Sequence, residues 1–235
     1  MAVRAAFFDV GDTLVEHWKP REAVRALTRA ALVAEYGERE WLDALIAADI
    51  EPRSGAGDLR QETVRWYREW FRAGGIDLDG LDVDRVRSLV SVPLDQVSSP
   101  VPGAFEAVRW CRSRGLRVVL VTNTLSRGDV EVLEDWRRFG LADAIHGVVS
   151  SHSAGWRKPH PAIFARALEI AGVAPDEVMH VGDRLWEDVW GAKRAGLRAV
   201  WRRIPGAEQR PVDVEPDLTL DGTLHELPRA VAPWL

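Results

Sequence analysis

One cysteine, three lysines and no long apolar run set out what this chain does without. Cys111 has no second cysteine to pair with, so an internal disulfide and a thiolate metal site are both excluded. It lies three residues after Val108 on a helical apolar face and reads as a small core residue rather than a reactive thiol. No stretch approaches the roughly 18 apolar residues that would cross a bilayer, and strand-forming residues begin at Val3, leaving no room for a signal peptide. A cytoplasmic address, with no membrane partner, is the expectation. A net charge of -5 with acids and bases interspersed provides no basic stripe to follow a phosphate backbone, so nucleic acid is not an expected partner. The six histidines are scattered without ligand spacing, and His152, His160 and His180 read as loop or strand-end residues.

What is present is enough for a sizeable core. With 235 residues and 46% hydrophobic content, the chain suits one domain or a core carrying an insertion. Eleven tryptophans are the unusual feature, and core or interface filling is the ordinary use of each. From residue 96 onward, apolar strand candidates alternate with helical patterns, the signature of right-handed β-α-β units and a parallel sheet. The strands are expected at Leu116 to Thr122, Ile145 to Ser150, Val178 to Val181 and Leu197 to Trp201, with an edge strand at Asp217 to Leu220. Helices are expected from about Gly103 to Arg114, closed by Gly115, and near 128–139, 161–171 and 187–195. Pro161 and Gly172 bracket the 161–171 helix in the places those residues favour.

Residues 15–95 follow a different rule. Helical periodicity (Val24, Leu27, Ala31; Leu42, Leu45, Ile46; Trp66, Trp70) comes with no strand-like run. The fold class expected is therefore α/β: a doubly wound parallel, Rossmann-like sheet formed by residues 1–14 and 96–235, with an all-helical cap inserted over 15–95. Gly74-Gly75, Pro93 and Ser98-Ser99-Pro100 are the expected joints. Because the chain leaves the sheet edge at the first acidic turn and later returns, the cap is expected to act as a lid over that turn.

Four segments place a polar group at, or just beyond, the end of an expected strand: Asp9, Thr122-Asn123, Lys158, and Gly182-Asp183 with Asp188. Parallel strands point their ends one way, so these groups converge on one crevice. Each alone has a bland reading: a turn residue for Asp9, a solvated loop cation for Lys158, a helix cap for Asp188. Together they form a set of carboxylates that repel one another unless a cation joins them. Oxygen donors without histidine or cysteine suit a hard ion such as Mg²⁺. Lys158 stands out beside Lys19 and Lys193 in a chain that otherwise carries positive charge on arginine, which suggests a need for the compact ammonium group.

The ordered motifs FFDVGDTL, VVLVTNT, RKPHPAIF and VGDRLWEDVWGAKRAG resemble those of the haloacid dehalogenase superfamily of phosphotransferases, in the branch with a helical cap after the first motif. The resemblance runs through nearly the whole chain. It implies a phosphatase acting on a small phosphorylated substrate, with Asp9 as the nucleophile that forms an aspartyl-phosphate. It also implies that Asp9, Asp183 and the backbone carbonyl of Gly11 hold Mg²⁺. Thr122 and the Asn123 backbone would bind a phosphoryl oxygen, Lys158 would neutralise it, and Asp188 would orient Lys158 and metal-bound water. The chemistry is coherent by itself, since a carboxylate attacks phosphorus only where the phosphate's own charge is screened.

One position departs from the family pattern. The second residue after the nucleophile is commonly the aspartate that protonates the leaving group; here it is Gly11, and Asp12 follows it. Along an extended segment Asp12 would face away from Asp9 and serve the turn. Loss of a positioned acid/base typically costs about 10²- to 10⁴-fold in rate, so activity restricted to good leaving groups is expected. True dehalogenases also lack that aspartate, but the intact Gly182-Asp183 pair argues against that reading. Phosphonatases need a cap lysine, and Lys19 is the only lysine between residues 15 and 95. A non-enzymatic phosphate- or metal-binding module on the same fold, presenting Trp41, Trp66 and Trp70 to a partner, is the remaining alternative. Trp156 and Trp186 flank Lys158 and Asp183, where packing or the pocket mouth would each suit them. No oligomeric state follows from these residues.

Overall fold

A computed structural model describes residues 1–17, 19–47, 59–60, 62–73, 75–77 and 80–235. The chain opens with β1 (Ala5–Phe8), turns through Asp9 to Leu14, and forms the short strand β2 (Val15–His17). Helices α1 (Arg21–Tyr36), α2 (Trp41–Ala47), α3 (Thr63–Ala73) and α4 (Val83–Leu89) follow, then the single turn α5 (Leu94–Val97) and β3 (Ser98–Pro100). Alternation then sets in with α6 (Ala104–Ser113), β4 (Arg117–Thr122), α7 (Asp129–Arg138), β5 (Gly147–Ser150), α8 (Ser151–Ala154), α9 (Pro161–Ala171) and β6 (Val178–Gly182). A wide π-type turn over Leu185–Trp190 runs into α10 (Gly191–Arg194), and β7 (Arg198–Arg203), β8 (Leu218–Asp221) and α11 (Leu227–Val231) complete the order.

Six strands form one sheet in the order β5-β4-β1-β6-β7-β8, every neighbouring pair parallel. The α/β class and each strand expected from residue 96 onward are present. Burial explains the sequence pattern: β1 and β4 lie inside the sheet and are covered on both faces, so they read as unbroken apolar runs. Ala6, Phe8, Val118 and Leu120 face one layer with Cys111 and Trp136, while Ala5, Phe7, Val119 and Val121 face the other with Ile163 and Phe164. Cys111 is buried, which pushes its thiol up to about 12 and makes it the inert core residue its position suggested. The chain runs outward from β1 to β4 and β5, then crosses back to β6 on the other side of β1. The strand order therefore reverses beside β1, and a crevice opens beyond the strand ends at such a point.

Two expectations for residues 15–95 need correction. The segment contains a strand: β2 pairs antiparallel with β3, Val15 opposite Pro100 and His17 opposite Ser98. Ser98-Ser99-Pro100 is thus half of a two-stranded ribbon through which the chain leaves and re-enters the sheet region. Three residues reading Val-Glu-His are too few to show alternation, which is why the pattern missed them. The periodicity holds at Leu42, Leu45 and Ile46 but not in α3, where Tyr67 and Phe71 turn inward. Leu32, Leu42, Leu45, Tyr67, Phe71, Val83 and Val86 form an apolar cluster of their own, whereas Val24 and Leu27 pack against the cluster of the main sheet. Trp66 is half-buried while Tyr67 is buried. Gly74 and the side chain of Trp70 lie outside the described residues.

Candidate active site

The first turn is made by local geometry. Asp9 N–H donates to the Val181 carbonyl at 2.9 Å, prolonging the β1–β6 register by one residue and placing the carboxylate at the strand end. Val10 O then accepts from Leu14 N–H at 2.9 Å and Asp12 N–H donates to Val15 O at 2.7 Å, closing a tight loop. Asp12 sits in the left-handed region with φ of 54°, a conformation that short polar residues tolerate and most side chains avoid. Its carbonyl accepts from the Arg202 guanidinium. Asp12 is therefore a turn residue, as expected, and the acids drawn within 4.8 Å of one another are Asp9, Asp183 and Asp188.

Lys158 ties that group together. Its Nζ lies 2.5 Å from Asp9 Oδ1 and 2.7 Å from Asp188 Oδ1, and it is 2% exposed. The backbone of Lys158 is pinned by Asn123, whose Oδ1 accepts from the Lys158 main-chain N–H at 2.8 Å and whose Nδ2 donates to the Lys158 carbonyl at 3.1 Å. Thr122, buried at the end of β4, brings Asn123 to that place.

Asp188 has two further partners. His180 Nε2 lies 2.9 Å from Oδ1, and Arg184 N–H donates to Oδ2 at 3.0 Å. Asp188 was expected to open its helix; it lies inside the π-type turn instead and reaches back to the backbone N–H at the turn's start. The approach depends on Gly182, where an added Cβ would meet Asp188 Cγ at 2.2 Å. Asp183 accepts a long hydrogen bond from Thr13 Oγ1 at 3.3 Å and pairs with Arg184 Nε at 3.2 Å. Its backbone carbonyl accepts from Trp201 Nε1 at 3.0 Å and Gln209 Nε2 at 3.1 Å, which fixes the loop after β6.

Electrostatics divide the three acids. Burial raises Asp9, the Lys158 charge opposes it, and the balance leaves Asp9 at about 6. Burial and then the Asp9 charge push Asp183 up to about 8. For Asp188, burial is outweighed by the Lys158 ammonium and the His180 hydrogen bond, so its carboxyl stays below the ordinary range. Burial would likewise lower Lys158, but Asp188 and Asp9 more than offset it, and the ammonium is firmly protonated. His180 is pulled down by burial and stays neutral near pH 7.

Asp9, Lys158, Asp183 and Asp188 are thus brought together, with Thr122, Asn123 and Gly11 lining an adjoining cavity of about 300 Å³. Thr13, His180, Trp201 and Gln209 are site neighbours the sequence reading did not assign. Thr13 lay within the first motif, and His180 lies three residues before Asp183 on β6 with its ring turned to Asp188; the other two carry no local signal. Trp156 stacks on His160 with ring centroids 3.9 Å apart, and Trp186 stacks on Trp190 at 4.2 Å and lies 3.7 Å from the Arg210 guanidinium; neither lines the cavity.

A parallel sheet with carboxylates and a lysine gathered at its switch point defines a hydrolase-type site, and the comparisons agree. Residues 3–196 match the family described as haloacid dehalogenase-like hydrolase. A glyceraldehyde 3-phosphate phosphatase of Methanopyrus kandleri is 30% identical over 93% of this chain and 93% of its own length. Phosphoglycolate phosphatase 1 of Pseudomonas aeruginosa is 25% identical over 97% of this chain and 79% of its own. Among solved structures, a 2-haloacid dehalogenase from Pseudomonas syringae pv. Tomato superposes with a TM-score of 0.70 at 24% identity, covering 99% of this chain and all of that one, a likeness of fold. The chain belongs to the haloacid dehalogenase-like hydrolases. Among the described residues, no helix is long and apolar enough to cross a membrane.

Proposed function

We infer that this enzyme is a Mg²⁺-dependent phosphohydrolase acting on a small phosphorylated compound through an aspartyl-phosphate on Asp9. The observation that carries the reading is the contact of Lys158 Nζ with Asp9 at 2.5 Å, buried beside Asp183 at the strand ends. The named phosphatases among the relatives support the same class of substrate.

The donor set fits a hard divalent ion. Asp9 and Asp183 offer carboxylate oxygens, both pushed up by burial, and Asp183 also by the charge of Asp9, a strain that such a cation relieves. Asp9, Asp183 and the Gly11 carbonyl would hold Mg²⁺, which when bound supplies charge neutralisation for the phosphoryl group. The chain's own residues do the rest. Lys158 draws a phosphoryl oxygen toward Asp9, with Thr122 and the Asn123 backbone as further donors. An Asp9 carboxylate oxygen bonds to phosphorus as the bond from phosphorus to the ester oxygen breaks, the electron pair leaving with that oxygen. Water then attacks the aspartyl-phosphate, releasing inorganic phosphate and restoring the Asp9 carboxylate. Asp188 and His180 hold Lys158 in line.

Gly11 supplies no acid to the leaving oxygen, so leaving groups stable as anions, such as aryl, enol or acyl groups, are favoured. Residues 15–95 act as the cap over this site and residues 1–14 and 96–235 as the catalytic core, working in the cytoplasm, where the unpaired Cys111 is at home. The dehalogenase reading, which shares the fold, is disfavoured by the intact Gly182-Asp183 pair. Phosphate release from a panel of phosphomonoesters, with and without Mg²⁺, tests the reading against an Asp9→Asn control. Release that persists in the control, or is absent throughout, overturns it.

A further inference from the structure

The cavity of about 300 Å³ beside Asp9 is lined by Gly11, Thr122 and Asn123 on the side of the strand ends. Away from them, Val10, Val15, Val24, Val90, Val92 and Val97 form its wall, drawn from the first turn, β2 and the helices inserted before β3. That size is at the lower end of small-molecule sites, about 300–1,000 Å³. Its charge is as informative as its apolarity. Among the described residues lining it there is no carboxylate and one arginine, Arg127, whose guanidinium pairs with Asp135 Oδ2 at 3.5 Å and donates to the Val92 carbonyl. The imidazole of His17, also on the wall, shares a 2.9 Å hydrogen bond with Ser98 Oγ.

A leaving group carrying a carboxylate or second phosphate would have to lose its water here and draw Arg127 away from Asp135, which buried charges resist. An uncharged hydrocarbon group gains from the same wall. Resting on the phosphohydrolase reading above, we propose that this cavity is a leaving-group subsite for uncharged, apolar phosphomonoesters, aryl or enol esters above all. Two independent features agree on that class: Gly11 leaves the departing oxygen without an acid, and beside the valine wall Arg127, the one arginine among the described lining residues, is already paired with Asp135. The specificity differs from that named for the phosphoglycolate phosphatase relative, whose substrate carries a carboxylate.

Steady-state kinetics of the full chain with Mg²⁺ separate the possibilities, with acetyl phosphate as a probe too small to use the wall. Phenyl phosphate should exceed 2-phosphoglycolate in kcat/KM by at least about tenfold. Val90→Lys, which adds a cation to the half-buried rim, should narrow that ratio, and acetyl phosphate turnover reports whether the catalytic residues remain in place. Equal or better use of 2-phosphoglycolate by the unmodified enzyme, dependent on Asp9, would overturn the subsite and leave the phosphohydrolase standing. Loss of all Asp9-dependent turnover would instead remove the phosphohydrolase. Calorimetry then decides the subsite separately: tighter binding of phenylphosphonate than of phosphonoacetate supports it, and the reverse order sinks it.

Discussion

The ammonium of Lys158 sits between Asp9 and Asp188, 2.5 Å from one and 2.7 Å from the other, with almost no exposure to solvent. Removing one partner from such a group leaves the others buried and uncompensated, at a cost of about 3–5 kcal/mol. Lys158→Met should therefore lower stability by that order in urea unfolding and abolish Asp9-dependent phosphate release. Lys158→Arg should not restore the rate, because a planar fork cannot occupy the place of a compact ammonium between two carboxylates. Full activity in the arginine variant would show that Lys158 acts as a distant charge only.

Asp183 gives the metal-free protein an unusual pH dependence. An unfolded aspartate titrates near 3.9, whereas Asp183 in the fold titrates at about 8 and Asp9 at about 6. Both native values are raised, so between those limits the native state binds more protons than the unfolded one, and stability falls as pH rises. The stabilisation is complete below about pH 4 and is lost as pH approaches 8, with a slope of up to about 1.4 kcal/mol per pH unit for each group within its own window. Thermal unfolding in EDTA between pH 7 and 8.5 should show this decline, because the histidines His146, His152, His160 and His180, whose lowered values make stability rise with pH, act below that range. Saturating Mg²⁺ should flatten it, since the cation takes the place of the protons. A metal-free midpoint that rises with pH over that range would contradict the raised titration of these buried acids.

Much of this architecture was legible in the sequence because parallel strands buried on both faces leave unbroken apolar runs such as Val118 to Val121, and because Gly115 and Gly172 mark helix ends. The site was legible for a related reason: a polar residue directly after such a run has nowhere to go but the strand end, as Asp9, Thr122 and Asp183 show. Features that depend on contacts distant in sequence were not. The β2–β3 ribbon joins residues about 80 positions apart through strands of three residues. His180 reads as one strand residue among several, and only the packed fold turns its Nε2 toward Asp188 at 2.9 Å. The cap's inward face fell on Tyr67 and Phe71 rather than on Trp66 because the helix turns its mixed aromatic surface toward Leu32 and Leu42.

Gly182 tests how closely the lysine must be held. A methyl group there would lie 2.2–2.5 Å from the Asp188 side chain, so Gly182→Ala must push that carboxylate aside. Overpacking of this kind costs typically about 1–3 kcal/mol. The kinetic consequence should be larger than the loss of stability suggests: kcat should fall by about tenfold or more, since a displacement near 1 Å at reacting groups is costly. A folded Gly182→Ala protein with unchanged kcat would mean that Asp188 does not position Lys158.

Gly11 offers the opposite experiment, a gain. An added Cβ at this position meets no atom within 4 Å, and its φ lies outside the left-handed region, so a larger residue fits without strain. The backbone of Asp12 serves the turn: its φ is 54° and its carbonyl accepts from Arg202. Gly11→Asp places a carboxyl group two residues beyond Asp9, on the side an extended segment shares with it. It should raise kcat on alkyl phosphates, whose leaving oxygen needs a proton, by at least about tenfold out of the 10²- to 10⁴-fold a well-placed acid supplies. Aryl phosphates, which leave readily as anions, should gain little. Asp12→Asn in the unmodified enzyme should leave the alkyl rate where it is. If Asp12→Asn abolishes turnover and Gly11→Asp adds nothing, Asp12 must reach the leaving oxygen after all, and the preference for stable leaving groups loses its cause.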